Sequence, residues 1–359
     1  QAALCFGHVA IPILGVLAFG FWTHLGYGSR PSAISALALM VSTELLPYSR
    51  SVFGDVSCAV LFFAAFAAIG SMADRSKLGP IGAGLCLGLA VLVRPISALF
   101  LAPFALYFLL ICKRSGGGIS GRAAQAGLIV FPIILCGLGL LAFNRHAYGG
   151  ALSTGYGSEM FQFGVSLGEG IPHLLISLEK GLFPYSPVLL GILFFWPRFH
   201  RRCRAESVSA LALAGLFLLV YGRWHAVSPG NELSYGQRFL LPIVPFLALA
   251  LPEAVVCFSG KWQRCLGVGV LAGSSLIQVA GCLQQGDPYR RWASQFESVP
   301  FAPWGYTQLS IDHPAGVALW WASRGIWAFI LAAVLAILAA GLAHLAATQA
   351  ENPPKGAGY

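Results

Sequence analysis

Long apolar runs alternate with short polar ones along almost the whole chain. They lie near residues 4–24, 31–47, 56–72, 80–93, 96–112, 123–143, 186–199, 207–222, 239–259, 265–283 and 325–347, and each predicts a helix. A perpendicular membrane helix needs about 20 apolar residues. The longer runs therefore read as full spans, and the shorter ones as short or partly re-entrant helices, for about eleven in all. The polar breaks fall into two kinds. Short basic loops carry Arg75 and Lys77, then Lys113, Arg114 and Arg122, then Arg198, Arg201, Arg202 and Arg204, then Lys261 and Arg264. They alternate with longer, less basic segments, and the basic set is expected on the cytoplasmic side. Residue 1 then falls outside and Tyr359 inside. An external start at Gln1, with no basic segment ahead of the first run, predicts that one span and its loop lie upstream in a longer protein.

Composition agrees with that pattern. Hydrophobic residues make up 57% of the 359 positions and charged residues only 10%, too few charges for a soluble chain of this length. The expected class is an all-α, polytopic helical membrane protein. Its net charge of +9 sits in loops between apolar runs, which suits membrane lipids with anionic headgroups and not nucleic acid. Most of the nine cysteines lie inside apolar runs and no CxxC pair occurs, so neither a disulfide frame nor a metal site is indicated. The Gly84 to Gly88 spacing predicts close helix packing. No Walker loop, HExxH, Rossmann fingerprint or GxSxG is present.

The expected organisation is a helical bundle over 1–283 with external loops at 144–185 and 223–238. An external aromatic and proline-rich segment follows at 284–324, holding Trp292, Trp304, Trp320 and Trp321 and suited to a small cap. A last helix at 325–347 and a disordered cytoplasmic tail at 348–359 complete the chain.

Most of the polar chemistry collects on the external side. The stretch 223–245, RWHAVSPGNELSYGQRFLLPIVP, crowds Trp224, His225, Asn231, Glu232, Tyr235, Gln237 and Arg238 against the start of an apolar run. Arg238 stands where that run enters the membrane. A charge at such depth is costly and usually meets an anion or carboxylate, or else it snorkels to the interface. In LLPYSRSVFGD (45–55), Asp55 stands at the mouth of a span. It reads as a cap for a helix starting at Val56, as a functional carboxylate (a base, a metal ligand, or a partner for Arg50 or Arg94), or as both. Arg94, in LAVLVRPIS, has no polar neighbour in sequence except Ser97 and either snorkels or faces a wet cavity. The glycine-rich stretch FNRHAYGGALSTGYG (143–157) suits close approach of backbone to a polar ligand. Lys180 and Tyr185, in LEKGLFPYSPVLL, stand at the start of the next span, where a lysine is commonly an anchor. Four interfacial charges, Asp55, Arg94, Lys180 and Arg238, are expected to converge on one externally open cavity.

These stretches, in this order and spacing, resemble the bacterial GT-C membrane glycosyltransferases. The likeness is to the group of dolichyl-phosphate-mannose protein mannosyltransferases and aminoarabinose transferases, and it covers most of residues 30–250. The resemblance implies a GT-C-like fold in the bacterial inner membrane with its functional face outside. It implies transfer of a sugar from a polyprenyl-phosphate carrier to an acceptor on that face. Asp55 would then be the catalytic base, Arg94, Lys180 and Arg238 the phosphate-binding cations, and Trp224, Glu232 and Tyr235 the lining of the sugar pocket, with Tyr185 a further substrate-binding residue. No cofactor is indicated. The lipid-phosphate sugar is the co-substrate, and no ligand set supports a divalent metal.

One departure stands out. The family's main acidic residues lie in the first external loop, ahead of where this sequence starts. A non-catalytic membrane subunit within a larger complex is therefore the alternative. A transporter fits less well, because the ionisable residues gather at one face, with only Glu44, Glu253 and His344 in or near spans.

Overall fold

The computed structural model describes residues 2–49, 54–74, 78–115, 118–153, 163–177, 180–224, 236–258 and 260–284. The last expected helix, the tail and nearly all of the segment 284–324 lie outside the described residues. Every expected apolar run up to residue 283 carries helix. In chain order these are α1 (Ala2–His24), α2 (Ser29–Val41), α3 (Leu45–Tyr48), α4 (Asp55–Gly70), α5 (Leu78–Val93), α6 (Leu101–Ser115) and α7 (Ile119–Tyr148). They continue as α8 (Leu167–Ile176), α9 (Leu182–Tyr185), α10 (Pro187–Arg202), α11 (Arg204–Tyr221), α12 (Val244–Leu247), α13 (Leu251–Cys257) and α14 (Lys261–Gln284). Among the described residues, five stretches are long and apolar enough to cross a membrane: 95–114, 119–148, 204–221, 238–257 and 261–282. The protein is a multi-pass helical membrane protein.

Three departures from the expected elements have local causes. The run 31–47 breaks after Val41, and α3 follows only after a turn at residues 42–44, where Thr43 Oγ1 donates to the Leu39 carbonyl (2.7 Å). The expected loop 144–185 contains helix, because α7 continues to Tyr148 before Gly149 ends it at φ +77°, a left-handed cap that glycine adopts at no steric cost. The ten-residue α8 and the single-turn α9 also fall in that loop. The run 239–259 is a succession of 3-10 and α segments. Pro242, Pro245 and Pro252 each remove a backbone donor from the i→i−4 ladder.

Segment 238–257 is the centre of the bundle, 78% buried along its apolar window, whereas only 6% of the α7 window is buried. Helix α7 presents Phe131, Leu135 and Leu138 outward, as a lipid-facing helix does, and packs chiefly on α5. That contact explains the glycine spacing. A Cβ on Gly84 would stand 2.1 Å from the Ile129 carbonyl oxygen, and one on Gly88 would stand 2.8 Å from Cys136 Sγ. The two backbones touch because both residues lack side chains.

The alternation of helices divides the polar groups between two ends. At one end, Tyr27 donates to Glu253 Oε1 (2.6 Å), Arg202 donates to the Gly26 carbonyl (2.8 Å), and the Arg202 guanidinium lies 4.2 Å from the Tyr27 ring centroid. Tyr107 there meets Glu206 at 3.4 Å. This is the end that carries Lys113, Arg114, Arg201, Lys261 and Arg264. Cys203 is buried within it, and burial, reinforced by nearby Glu206, pushes its thiol up to about 12. The opposite end holds the C-termini of α2, α5, α11 and α14 and the N-termini of α4 and α10.

The α5–α7 contact makes a stability prediction. Gly84→Leu forces a side chain into the Ile129 backbone and is expected to destabilise the purified protein by about 3 kcal/mol, the upper range for overpacking. Gly82 has open space at its Cβ, so Gly82→Ala is expected to be neutral or slightly stabilising. Thermal unfolding in detergent measures both. Equal stability of the two variants would contradict the backbone contact.

Candidate functional site

The site end is organised by a close approach between the start of α4 and the end of α5. Gly54 is the N-cap of α4, and a Cβ there would stand 2.6 Å from Val93 Cγ1. Residue 94 must leave the helix because Pro95 follows. Arg94 is extended at φ −143°, ψ 108° and leads into a 3-10 segment, Pro95–Phe100. Its carbonyl accepts from the Ser97 amide (2.8 Å). With the two backbones this close, the Arg94 guanidinium forms an ion pair with the Asp55 carboxylate. The Asp55 side chain is 4% exposed and that of Arg94 14%.

This corrects the reading of Asp55 as a cap. Helix α4 begins at Asp55 itself, Gly54 occupies the cap position, and no side chain makes a capping bond. The alternative that Asp55 partners an arginine holds instead, with Arg94 as that arginine.

The other half of the site comes from the 3-10 segment Arg238–Ile243, which packs on α4. Phe239 is buried, and two cations approach its ring. The Arg238 guanidinium is 4.9 Å from its ring centroid and the Arg94 guanidinium 5.7 Å. Both distances fall within the range of cation–π attraction. Tyr221 stacks on Phe239 at 5.2 Å and 14° between planes, and Trp224 meets it edge-on at 4.9 Å. Trp224 is held by a short bridge to Phe163, with the Val165 amide donating to the Arg223 carbonyl (3.2 Å).

Asp55, Arg94, Arg238 and Trp224 thus gather around one ring that the sequence pattern did not single out. Phe239 reads in sequence as the first residue of an apolar run, and Tyr221 as the last of another. Their only signal is their position beside Arg238 and Trp224. Lys180 is buried at the same end, in the turn between α8 and α9, six residues before Ser186. Tyr185 is half-buried on the flank where α9 meets α14, and its carbonyl accepts from Gln278. Glu232 and Tyr235 lie outside the described residues.

Chemically, this end offers a carboxylate tethered to one guanidinium, a second guanidinium beside the same aromatic ring, and an aromatic cluster. Guanidinium forks suit phosphate or carboxylate oxygens, and aromatic faces suit the CH groups of a sugar. Among the described residues, no group of three or more His, Cys, Asp or Glu is arranged to hold a metal. An open groove of about 690 Å³, lined by Leu193, Trp196, Pro197, His200, Arg201, Leu211 and Leu247, contains none of these candidate residues.

No family model matches the chain, and neither does any curated protein. The chain is similar in structure to the crystal structure of ArnT from Cupriavidus metallidurans bound to undecaprenyl phosphate, with a TM-score of 0.49 and 14% identity. The match covers 93% of this chain and 63% of that one, so the chain spans less than two thirds of that protein's length.

The ion pair yields a test of coupling. Removing one member of a buried pair leaves the other charged and unpaired, at a cost of about 3 kcal/mol or more. Asp55→Asn and Arg94→Gln are each expected to lower thermal stability by that order, and the double variant by clearly less than the sum. A double-mutant cycle in detergent measures this. Strict additivity would show that the two side chains do not act together.

Proposed function

We propose that this protein is a membrane glycosyltransferase of the GT-C type. In this reading it moves a sugar from a polyprenyl-phosphate carrier to an acceptor on the outer face of a bacterial inner membrane. The observation that carries the proposal is the arrangement around Phe239: a carboxylate and two guanidinium groups at one end of a bundle that lipid surrounds. The motif resemblance over residues 30–250 supplies the reaction class.

In this reaction the acceptor oxygen bonds to the sugar's anomeric carbon while the bond from that carbon to the carrier phosphate breaks. The phosphate leaves with the electron pair. Asp55 takes the acceptor's proton as general base, and Arg238, with Lys180 and Arg94, stabilises the charge on the departing phosphate. Trp224, Tyr235 and Glu232 line the sugar, and Tyr185 is a further substrate contact. The carrier's tail lies along the apolar flank of the bundle, with no metal assigned a role.

A second reading, a membrane subunit without catalysis, is favoured by one observation. Asp55 is buried and already paired with Arg94, a complete structural role that needs no substrate.

Transfer of labelled sugar from polyprenyl-phosphate donors, in membranes containing the full chain, separates the two. Arg238→Ala removes charge and fork together, whereas Arg238→Lys keeps the charge. Loss of a charge-assisted hydrogen bond of about 1.5–3 kcal/mol corresponds to roughly a ten- to hundredfold drop for Ala, with Lys in between. Wild-type transfer by Arg238→Ala would end the phosphate assignment. No transfer by the wild type from any such donor would favour the subunit.

Orientation is tested separately. Ser120 and Tyr148 are both exposed, near opposite ends of α7. With the basic end in the cytoplasm, an impermeant maleimide applied from outside labels a cysteine at 148 and not one at 120. The reverse pattern would invert the topology and place the site inside.

A further inference from the structure

Glu44 lies in the turn between α2 and α3 and is 0% exposed. Its carboxylate is not part of the Asp55–Arg94 pair, and among the described residues it makes no salt bridge. A carboxylate so placed is costly unless its oxygens are used, and here one is. Glu44 Oε2 accepts from the backbone amide of Gln237 at 2.8 Å. The Glu44 amide in turn donates to Ser186 Oγ at 3.0 Å, at the start of α10.

The turn that receives this carboxylate is shaped around it. Gly236 adopts φ +57°, a left-handed conformation that disfavours a side chain. A Cβ there would stand 2.7 Å from both Cδ and Oε2 of Glu44. The carboxylate therefore lies flat against the glycine, where no other residue would leave it room. The Gln237 carbonyl accepts from the Leu240 amide (3.0 Å), which starts the 3-10 segment. Gln237 thus has its amide tied to Glu44 and its carbonyl tied to the segment that presents Arg238 and Phe239.

We propose that Glu44 is a positioning residue for the phosphate-binding end of the site: its carboxylate holds the Gln237 amide and so fixes where Arg238 and Phe239 stand relative to Arg94. The inference rests on the proposed function only for naming the ligand, a polyprenyl phosphate. What the role requires is an acceptor oxygen at that point, not a negative charge. Glu44→Gln keeps the acceptor and loses the charge. Glu44→Asp keeps the charge and withdraws the oxygen by one methylene. Glu44→Ala removes both.

The test has two arms on the purified full chain in detergent. The first is hydrogen exchange over residues 236–240, which needs no ligand. Glu44→Ala and Glu44→Asp are expected to speed exchange at Gln237 by at least about tenfold, and Glu44→Gln to keep it protected. The second is binding of undecaprenyl phosphate. Affinity is expected to fall about tenfold in Ala and Asp, the size of one misplaced charge-assisted hydrogen bond, and to stay within about threefold in Gln. Should the Ala variant fail to fold, Asp carries the same comparison.

Unchanged exchange in both Ala and Asp would overturn the anchor. Altered exchange with unaltered phosphate binding would overturn the positioning role. Equal loss of binding in Gln and Asp would overturn it in favour of a role for the charge. A wild type that binds no undecaprenyl phosphate, yet shows the expected exchange pattern, would refute the proposed function while leaving the anchor intact.

Discussion

Burying Asp55 against Arg94 costs the desolvation of two charges, and that cost is offset only when geometry is good and the surroundings hold still. Much of the site end meets that condition. Gly54 lets α4 approach the end of α5, Pro95 turns Arg94 out of its helix, and Phe239 closes over the guanidinium. The ion pair is therefore less a stabilising contact than a demand on its neighbours. Each neighbour that meets the demand is also one that frames the candidate site.

The aromatic residues show how the demand is transmitted. Phe239 stacks on Tyr221, and Tyr221 lies 6.2 Å from Phe100, which stacks on Phe217 at 3.7 Å. Phe217 meets Phe62 edge-on, Phe62 meets Phe104, and Phe246 touches Phe104, Phe63 and Phe66. Phe66 then stacks on Tyr107 at 3.9 Å, whose hydroxyl reaches Glu206 near the basic end. Rings have few rotatable bonds and large contact areas, so this chain of contacts joins the two polar ends through a stiff interior. A site built on such a scaffold keeps its charges in place without a ligand, which is what electrostatic preorganisation requires.

Much of this was legible in the sequence because it depends on composition and short-range order. The apolar runs marked the helices through residue 283, and the Gly84 to Gly88 spacing marked a close helix contact without naming its partner, which the structure shows to be α7. Pro95 fixed the turn at Arg94. Pairings between distant residues were legible only as alternatives. Asp55 was readable as a partner for Arg50 or Arg94, 39 positions apart in the second case, and only the structure selects Arg94. Asp55 looked like a cap because Asp often is one, and only the placement of Gly54 shows otherwise. Glu44 read as an isolated acid near a span, since the amide it holds is 193 residues away. Phe239 was hidden in plain view among Leu, Leu and Pro. An aromatic residue in an apolar run carries no mark of the cations that flank it.

The broken segment 238–257 shows how a membrane protein keeps charge at the mouth of its core. Backbone irregularity is tolerated at membrane depth only where protein, not lipid, surrounds it. The segment most interrupted by proline is also 78% buried, which is the arrangement that rule requires. Its backbone finds a partner outside itself, as the Leu249 carbonyl accepts from Trp22 Nε1 at 3.2 Å, and just ahead of it the Gln237 amide meets Glu44. A regular helix would satisfy its interior carbonyls within itself and would have less use for the Trp22 donor. The Gln237 amide, at the cap, needs an outside acceptor in either form. The irregular segment is thus bonded to α1, and the residue that caps it to the α2–α3 turn. Those bonds tie the position of Arg238 to the packing of the whole bundle, and not to one helix alone.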